Sequence, residues 1–270
     1  MKKTAVAFIA LLLLVACLWF IAIPESLIAD LIENSLSREY LYLKTEGVKK
    51  GLFYNFGADR ILLKKKGKGG DPDAPLLVFS NVKGRGELLS FFRLRPELRF
   101  DGSMNDGDVT GFVRLTGTDR LMITAGNVRI NGIPLFEPLG IYGDGILSGS
   151  FLVRDNSGEL KFSVRDARLK NTSLGGVFLP LDLFHDAKGA VRFNNDNTVE
   201  VQSLAMTGAG IYARVKGTVK GNDMNMSLEL MTDSSFAPGS LFKMMLERYR
   251  VSHGYYRVPL KGGLPGGEGG

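Results

Sequence analysis

The chain contains 270 residues, of which 44% are hydrophobic, and it carries a formal net charge of +6 at pH 7. That length and apolar content suffice for one domain core or two small ones, while the single cysteine excludes an intramolecular disulfide framework. The basic balance points to anionic membrane surfaces or acidic partners before nucleic acid, or to positive charge spread for solubility.

The N-terminus begins with two lysines and continues into an uncharged apolar run from Ala5 to Ile23. As a helix this run would reach about 28 Å, close to the thickness of the hydrocarbon core of a bilayer. Lysines before the run and acidic residues after it, the first being Glu25, fit the positive-inside rule. The pattern predicts a cytoplasmic stub at 1–4, a transmembrane anchor at 5–23 and an exported remainder.

Two other interpretations of this segment stay open. A cleaved signal peptide has a shorter apolar core and a small-residue cleavage site, and no Ala-x-Ala lies at the end of this run. Residues Leu14 to Cys17 resemble a lipoprotein box with Cys17 as the lipidated residue. The sequence after Cys17 stays apolar, whereas a lipoprotein continues into a polar tether.

Residues 24–38 have helical periodicity. Apolar side chains recur at Leu27, Ile28, Leu31, Ile32 and Leu36, which predicts an amphipathic helix. Such a helix would lie on the membrane surface or cap the following domain.

From residue 39 the apolar period changes to two, which is typical of half-buried strands. The alternation is clear in Glu159–Arg165 and Met224–Leu230, and turn signals such as Asp144-Gly145 and Ser157-Gly158 separate the strands. We therefore expect a mainly β fold, a curved antiparallel β-meander over 39–260 with few short helices. A helix is predicted at 238–249 and a disordered Gly-rich tail at 261–270.

A lysine cluster is formed by Lys64, Lys65, Lys66 and Lys68. It predicts a solvated hairpin loop, or a contact for anionic lipid headgroups. Because no aromatic residues are interleaved with the lysines, nucleic acid is not an expected partner.

Catalytic motifs are not recognisable in the sequence. Asp182, His185 and Asp186 lie close enough along the chain to make a metal pair in principle, but the pattern favours a surface turn. No paired cysteines, zinc-binding histidine motif or phosphate-binding loop is present. We expect a protein that is not an enzyme and that needs no cofactor or metal.

Several segments together resemble a known family. They are Leu88-Leu89, 96–102, 145–149, 204–210 and 259–262, combined with the apolar start that ends at Pro24-Glu25. Their spacing and glycine placement resemble the N component of the bacterial type II secretion system, the GspN family. The resemblance implies a non-enzymatic accessory subunit, anchored once in the bacterial inner membrane, that contacts other secretion subunits in the periplasm through β-edges or faces.

The same features are similar to the AsmA-like superfamily, whose strands form curved grooves between the two membranes. This resemblance implies a periplasmic protein that binds or transfers phospholipid in support of the outer membrane. The candidate lining residues of an apolar groove are Phe151, Phe162, Phe193, Met224 and Met226. An ordinary closed core is the other interpretation of these positions.

Overall fold

The structure is a computed structural model. It describes residues 21, 24–35, 41–51, 55–65, 74–86, 97–114, 117–137, 140–155, 157–174, 177–194, 196, 198–221, 223–236, 244 and 246–263. Of the described residues, 72% lie in strands, and the strands are antiparallel. This confirms the expected mainly β class.

The described elements are one α-helix, two short 3-10 helices and a succession of strands. The helices are α1 (Glu25–Ser35), η1 (Pro134–Phe136) and η2 (Leu181–Leu183). The first strands are β1 (Leu41–Glu46), β2 (Lys49–Lys50), β3 (Asn55–Lys65), β4 (Ala74–Gly86), β5 (Glu97–Met104), β6 (Gly107–Arg114), β7 (Asp119–Arg129), β8 (Gly143–Arg154) and β9 (Ser157–Leu169). The remaining strands are β10 (Thr172–Leu174), β11 (Val177–Leu179), β12 (Phe184–Phe193), β13 (Thr198–Gly208), β14 (Ile211–Lys220), β15 (Asp223–Thr232), β16 (Arg250–Ser252) and β17 (Tyr255–Gly263).

One antiparallel sheet contains 15 of the strands. Its order is β1-β3-β4-β5-β6-β7-β8-β9-β12-β13-β14-β15-β17-β16, with β2 pairing beside β1 on β3, while β10 and β11 form a separate two-stranded ladder. Neighbours in the sheet are mostly neighbours along the chain, as a meander requires. Short turns can make such connections because each strand reverses the direction of the one before.

The chain divides into two compact units. Unit 1 comprises the described residues of Met1–Met104 and Val109–Thr116, and unit 2 those of Asn105–Asp108 and Gly117–Gly270. In unit 1, Ile28 of α1 is buried against Phe56 of β3. The described part of the expected amphipathic helix, Glu25–Ser35, thus packs on the strands of its own unit, and residues 36–38 lie outside the described residues.

The core of unit 2 is built on its last strands. Met224, Met226, Leu228 and Leu230 of β15 are buried together with alternate residues of β14 and β17. Leu246, which lies in a helical stretch with Met244 and Glu247, joins this cluster. The rest of the helix predicted at 238–249 lies mostly outside the described residues.

Two other predictions concern residues near the ends of the chain. No helix among the described residues is long and apolar enough to cross a membrane, and the predicted anchor at 5–23 lies outside them except for residue 21. Strand β17 extends to Gly263, into the range predicted as a disordered tail, because Lys261 to Gly263 continue its ladder with β15. Residues 264–270 lie outside the described residues.

Two members of the lysine cluster lie in a strand. Lys64 and Lys65 belong to β3, because that strand continues its pairing with β1 as far as the pair Leu41 and Lys65. Lys66 and Lys68 lie outside the described residues, so their predicted lipid contact stays a prediction.

A short pattern recurs where strands shift register. Asn81, Asn127 and Asp166 have positive φ angles of 52°, 56° and 53°. Each is followed by a buried Val or Ala and then by an exposed Lys or Arg, as in Asn127-Val128-Arg129. The ladders shift register between Ser80 and Lys83 and between Ala125 and Val128. Such β-bulges bend a strand and increase its twist.

Candidate functional site

The sheet of unit 2 has one apolar face that runs without interruption across eight strands. Side chains alternate between the two faces of a strand, so residues that pair across neighbouring strands share a face. One row across these strands consists of Ile123, Phe151, Leu160, Val191, Val201, Gly217, Met226 and Leu260. Every member of this row is apolar or glycine.

The rows on either side have the same character. The row toward one end of the strands is Leu121, Val153, Gly158, Phe193, Val199, Val219, Met224 and Gly262. The row toward the other end is Ala125, Gly149, Phe162, Gly189, Leu204, Val215, Leu228 and Val258. With strands about 4.8 Å apart, the face extends along the sheet for about 34 Å.

The opposite face of the same strands is charged. Lys161, Lys188, Arg192 and Lys216 are exposed there, each adjacent in sequence to residues of the apolar face. Lys161 donates to the carboxylate of Glu159 over 2.9 Å, and this hydrogen bond lowers the pKa of that carboxyl. Water therefore solvates one face, while the other must be covered by protein or by an apolar ligand.

The apolar face is closed at its β14 to β17 end. Met224 is 3% exposed and Met226 is 9% exposed, and both belong to the cluster that Leu246, Phe236 and Tyr249 cover. A second closed region surrounds Ile130, Val164 and Ala167.

The face is more open on β8, β9, β12 and β13. We define the open patch as Phe151, Val153, Leu160, Val191, Phe193 and Val199. Phe193 is 36% exposed, and the other five side chains are half-buried. This part of the face is the candidate functional site, because its apolar side chains are incompletely covered by the described residues.

Two aromatic rings shape the open patch. Phe151 and Phe193 meet edge to face, with ring centroids 6.1 Å apart and ring planes at 81°. Gly158 lies between them on β9, and a β-carbon there would come within 3.1 Å of the Phe151 ring and 3.5 Å of the Phe193 β-carbon. The ring of Phe162 covers Gly189 in the same way on the neighbouring row. Glycine on the middle strand thus allows rings from both sides to meet over it.

All five residues predicted to line an apolar groove lie on this face. The structure brings Phe151 and Phe193 into contact and places Phe162 on the next row, on β9. Met224 and Met226 lie at the closed end, inside the core cluster. The aliphatic members of the patch were not among the predicted lining residues, although the alternation in Val191-Arg192-Phe193 and Val199-Glu200-Val201 could have indicated some of them.

The residues considered as a metal pair or a surface turn lie at the surface, with Asp182 in η2 and with His185 and Asp186 at the start of β12. The Nδ1 atom of His185 lies 2.7 Å from Oδ2 of Asp186, and both side chains are partly exposed. The backbone N–H of Asp182 donates to Oδ1 of Asn171 over 3.2 Å. Within the described part of the chain, no three metal-ligating side chains of His, Cys, Asp or Glu come together.

The carboxylate of Glu97 in unit 1 is buried. Glu97 is 5% exposed, and Nε of Arg114 and Nε of Arg99 donate to its two oxygens over 2.6 and 2.8 Å. Burial raises the pKa of Glu97, but the hydrogen bonds and charges of Arg99 and Arg114 outweigh burial, so the pKa lies below its ordinary value. The Arg114 guanidinium also lies 4.3 Å from the centre of the Phe112 ring. This arrangement fastens β5 to β6, since both strands contribute to it.

Comparison with protein-family models, with curated proteins and with solved structures gave no match for this chain.

Proposed function

We propose that this chain is a non-enzymatic accessory component of the bacterial type II secretion system, anchored in the inner membrane through residues 5–23 with its β-domain in the periplasm. The observation that carries the proposal is the antiparallel meander of 15 strands. It agrees with the strand-rich periplasmic domain that the sequence resemblance implies. A long sheet of this kind offers faces and edges to neighbouring subunits rather than a catalytic cleft.

The test is a comparison of culture supernatants from cells with and without the gene, paired with an assay of outer-membrane permeability. We expect loss of the gene to trap secreted proteins in the periplasm while the outer membrane stays intact. Restoration of secretion by the wild-type gene controls for effects on neighbouring genes. Normal secretion in the deletion strain would contradict the proposal.

A second candidate function is favoured by the open patch. The incompletely covered apolar side chains around Phe151 and Phe193 suit the acyl chain of a phospholipid. In this function the protein would bind or transfer lipid in support of the outer membrane. A leaky outer membrane with normal secretion in the deletion strain would favour this second function over the first.

The second function has a direct chemical test. Full-length protein purified in a mild detergent should carry phospholipid that organic extraction and mass spectrometry detect. Replacing Phe193 by Ser should reduce the amount of bound lipid, whereas replacing the exposed Val251 of β16 by Ser should not. Wild-type protein that carries no more lipid than the Phe193→Ser variant would contradict a lipid site on this face.

A further inference from the structure

Strand β1 is the outermost strand at one end of the sheet and pairs with β3 on one side. The backbone N–H of Thr45 donates to Oε1 of Glu33 over 2.8 Å, away from β3. Alternate residues of an antiparallel strand direct their N–H and C=O groups to the same side. The backbone groups of Leu41 and Leu43 therefore face the same outer edge as those of Thr45.

Helix α1 covers this edge with two carboxylates. Glu33 accepts hydrogen bonds from both the N–H and the Oγ1 hydroxyl of Thr45, and Glu25 accepts one from the N–H of Lys50 over 3.0 Å. The two glutamates are separated by about 12 Å along the helix. Hence α1 lies beside β1 and β2, and its carboxylates occupy positions where carbonyl groups of a further strand would bind.

Apolar contacts and hydrogen bonds both hold α1 against the strands. Ile28 is 6% exposed and clusters with Ile32, Phe56, Val48 and Leu98, whereas Leu27 is 43% exposed. The carboxylates of Glu33 and Glu25 add the hydrogen bonds to the N–H groups of Thr45 and Lys50. Covering an edge with a helix is one of the ways in which proteins prevent unwanted strand pairing.

We propose that α1 is a displaceable cover of the β1 edge, and that a second copy of this chain pairs with β1 when α1 moves away. The pairing is antiparallel and two-fold symmetric about Leu43. It places Leu43 opposite Leu43 and Tyr42 opposite Lys44 of the second copy, so apolar groups meet and no like charges lie opposite one another. A pairing centred on Lys44 would place this lysine against itself. This inference goes beyond the proposed function and does not depend on it.

The test uses the full chain in detergent micelles with both glutamates replaced, Glu25→Ala and Glu33→Ala. Amide hydrogen exchange should become about tenfold faster at Lys50, since its N–H loses its acceptor, whereas the N–H of Thr45 gains the carbonyl of Leu41 of the second copy as a new acceptor. Sedimentation analysis should show a dimer for this variant and a monomer for the wild type. Asp30→Ala is the matched control, because Asp30 is an exposed acidic residue of the same helix, and it should behave as the wild type.

Adding Leu43→Pro to the double variant identifies the surface. Proline removes the outward N–H of residue 43, while a strand edge tolerates the ring, so the dimer should revert to a monomer. Glu33→Gln keeps the side-chain length and should accelerate amide exchange at Thr45 by less than about tenfold. This single variant tests the hydrogen bond to Thr45 if the double variant does not fold. Unchanged exchange at Lys50 in the double variant, a monomeric double variant, or association that Leu43→Pro does not reduce would each overturn the proposal.

Discussion

The ring of Phe193 on β12 meets the ring of Phe151 on β8 edge to face, with centroids 6.1 Å apart, although a whole strand lies between them. The contact is possible because Gly158 of the intervening strand has no side chain. Edge-to-face pairs contribute about 0.5–1.5 kcal/mol beyond the area that they bury. The pair therefore orders the most exposed part of the apolar face while leaving it accessible.

Replacement of Phe193 by Ser should weaken the binding of an apolar probe to unit 2. Removing a phenyl ring from an apolar contact costs about 1.5–3 kcal/mol, which corresponds to roughly tenfold or more in affinity. Titration with Nile red, followed by fluorescence, measures the change. Val251→Ser is the control, because Val251 is 61% exposed on β16, away from the open patch. Equal affinities for the two variants would show that the probe binds elsewhere.

Gly217 should be intolerant of any side chain. Its φ is +144°, and a β-carbon there would lie 2.5 Å from Cα of Met226 and closer still to the carbonyl oxygen of Asn225. Gly217→Ala should lower the free energy of unfolding by about 1–3 kcal/mol, because backbone strain adds to a collision with the next strand. Urea unfolding followed by circular dichroism measures the loss.

Gly126 of β7 provides the matched control for Gly217. It lies in the same unit, and a β-carbon there would meet nothing within 4 Å. Gly126→Ala should leave the free energy of unfolding unchanged or raise it by a few tenths of a kcal/mol, since alanine restricts the unfolded chain. Equal losses for the two alanine variants would contradict the close approach of β14 and β15 at Gly217.

Strand periodicity allowed the fold class to be predicted from the sequence. The alternation in Glu159–Arg165 and Met224–Leu230 identifies β9 and β15, since their apolar residues must share one face. The predicted turn at Ser157-Gly158 was misplaced, because β9 already begins at Ser157. A glycine beside a serine is typical of a turn, but Gly158 is required here by the two rings that lie over it.

Two features, the contacts of Glu25 and Glu33 and the extent of the open patch, depend on residues far apart in the sequence and were therefore not predicted. Nothing local to Glu25 or Glu33 shows that their carboxylates bind backbone N–H groups of Thr45 and Lys50, because these contacts join distant positions in the chain. The open patch depends on which part of an apolar face other segments cover, and alternation alone does not encode that coverage.

The register-shift pattern makes Asn127 sensitive to the type of replacement. Its φ of 56° suits Asn or Gly but disfavours a β-branched side chain. Asn127→Val should lower the free energy of unfolding by about 1–3 kcal/mol, whereas Asn127→Gly should change it by only a few tenths of a kcal/mol. Urea unfolding of both variants measures the difference. Equal losses would show that the side chain of Asn127, and not its backbone conformation, is what the strand requires.

Glu97 should make the stability of unit 1 depend on pH in the acidic range. Its pKa in the folded protein lies below the ordinary value of 4.5, since Arg99 and Arg114 favour the ionised carboxylate over the burial that opposes it. Because the folded pKa is the lower one, the stabilisation is present above the ordinary value and is lost as the pH falls through the folded pKa. The wild type should therefore lose more stability between pH 7 and pH 3 than a variant without this carboxylate.

Glu97→Gln is that variant, and at pH 7 it should lower the free energy of unfolding by about 1.5–3 kcal/mol, the usual contribution of hydrogen bonds to a charged group. As the pH falls below the ordinary value the difference from the wild type should shrink, because the unfolded chain then binds a proton that the folded carboxylate resists. Glu159→Gln is the control: its partner Lys161 is 64% exposed, so solvent screening should keep its effect below about 1 kcal/mol. A constant difference between wild type and Glu97→Gln across the pH range would mean that packing around residue 97, rather than its charge, stabilises this end of β5.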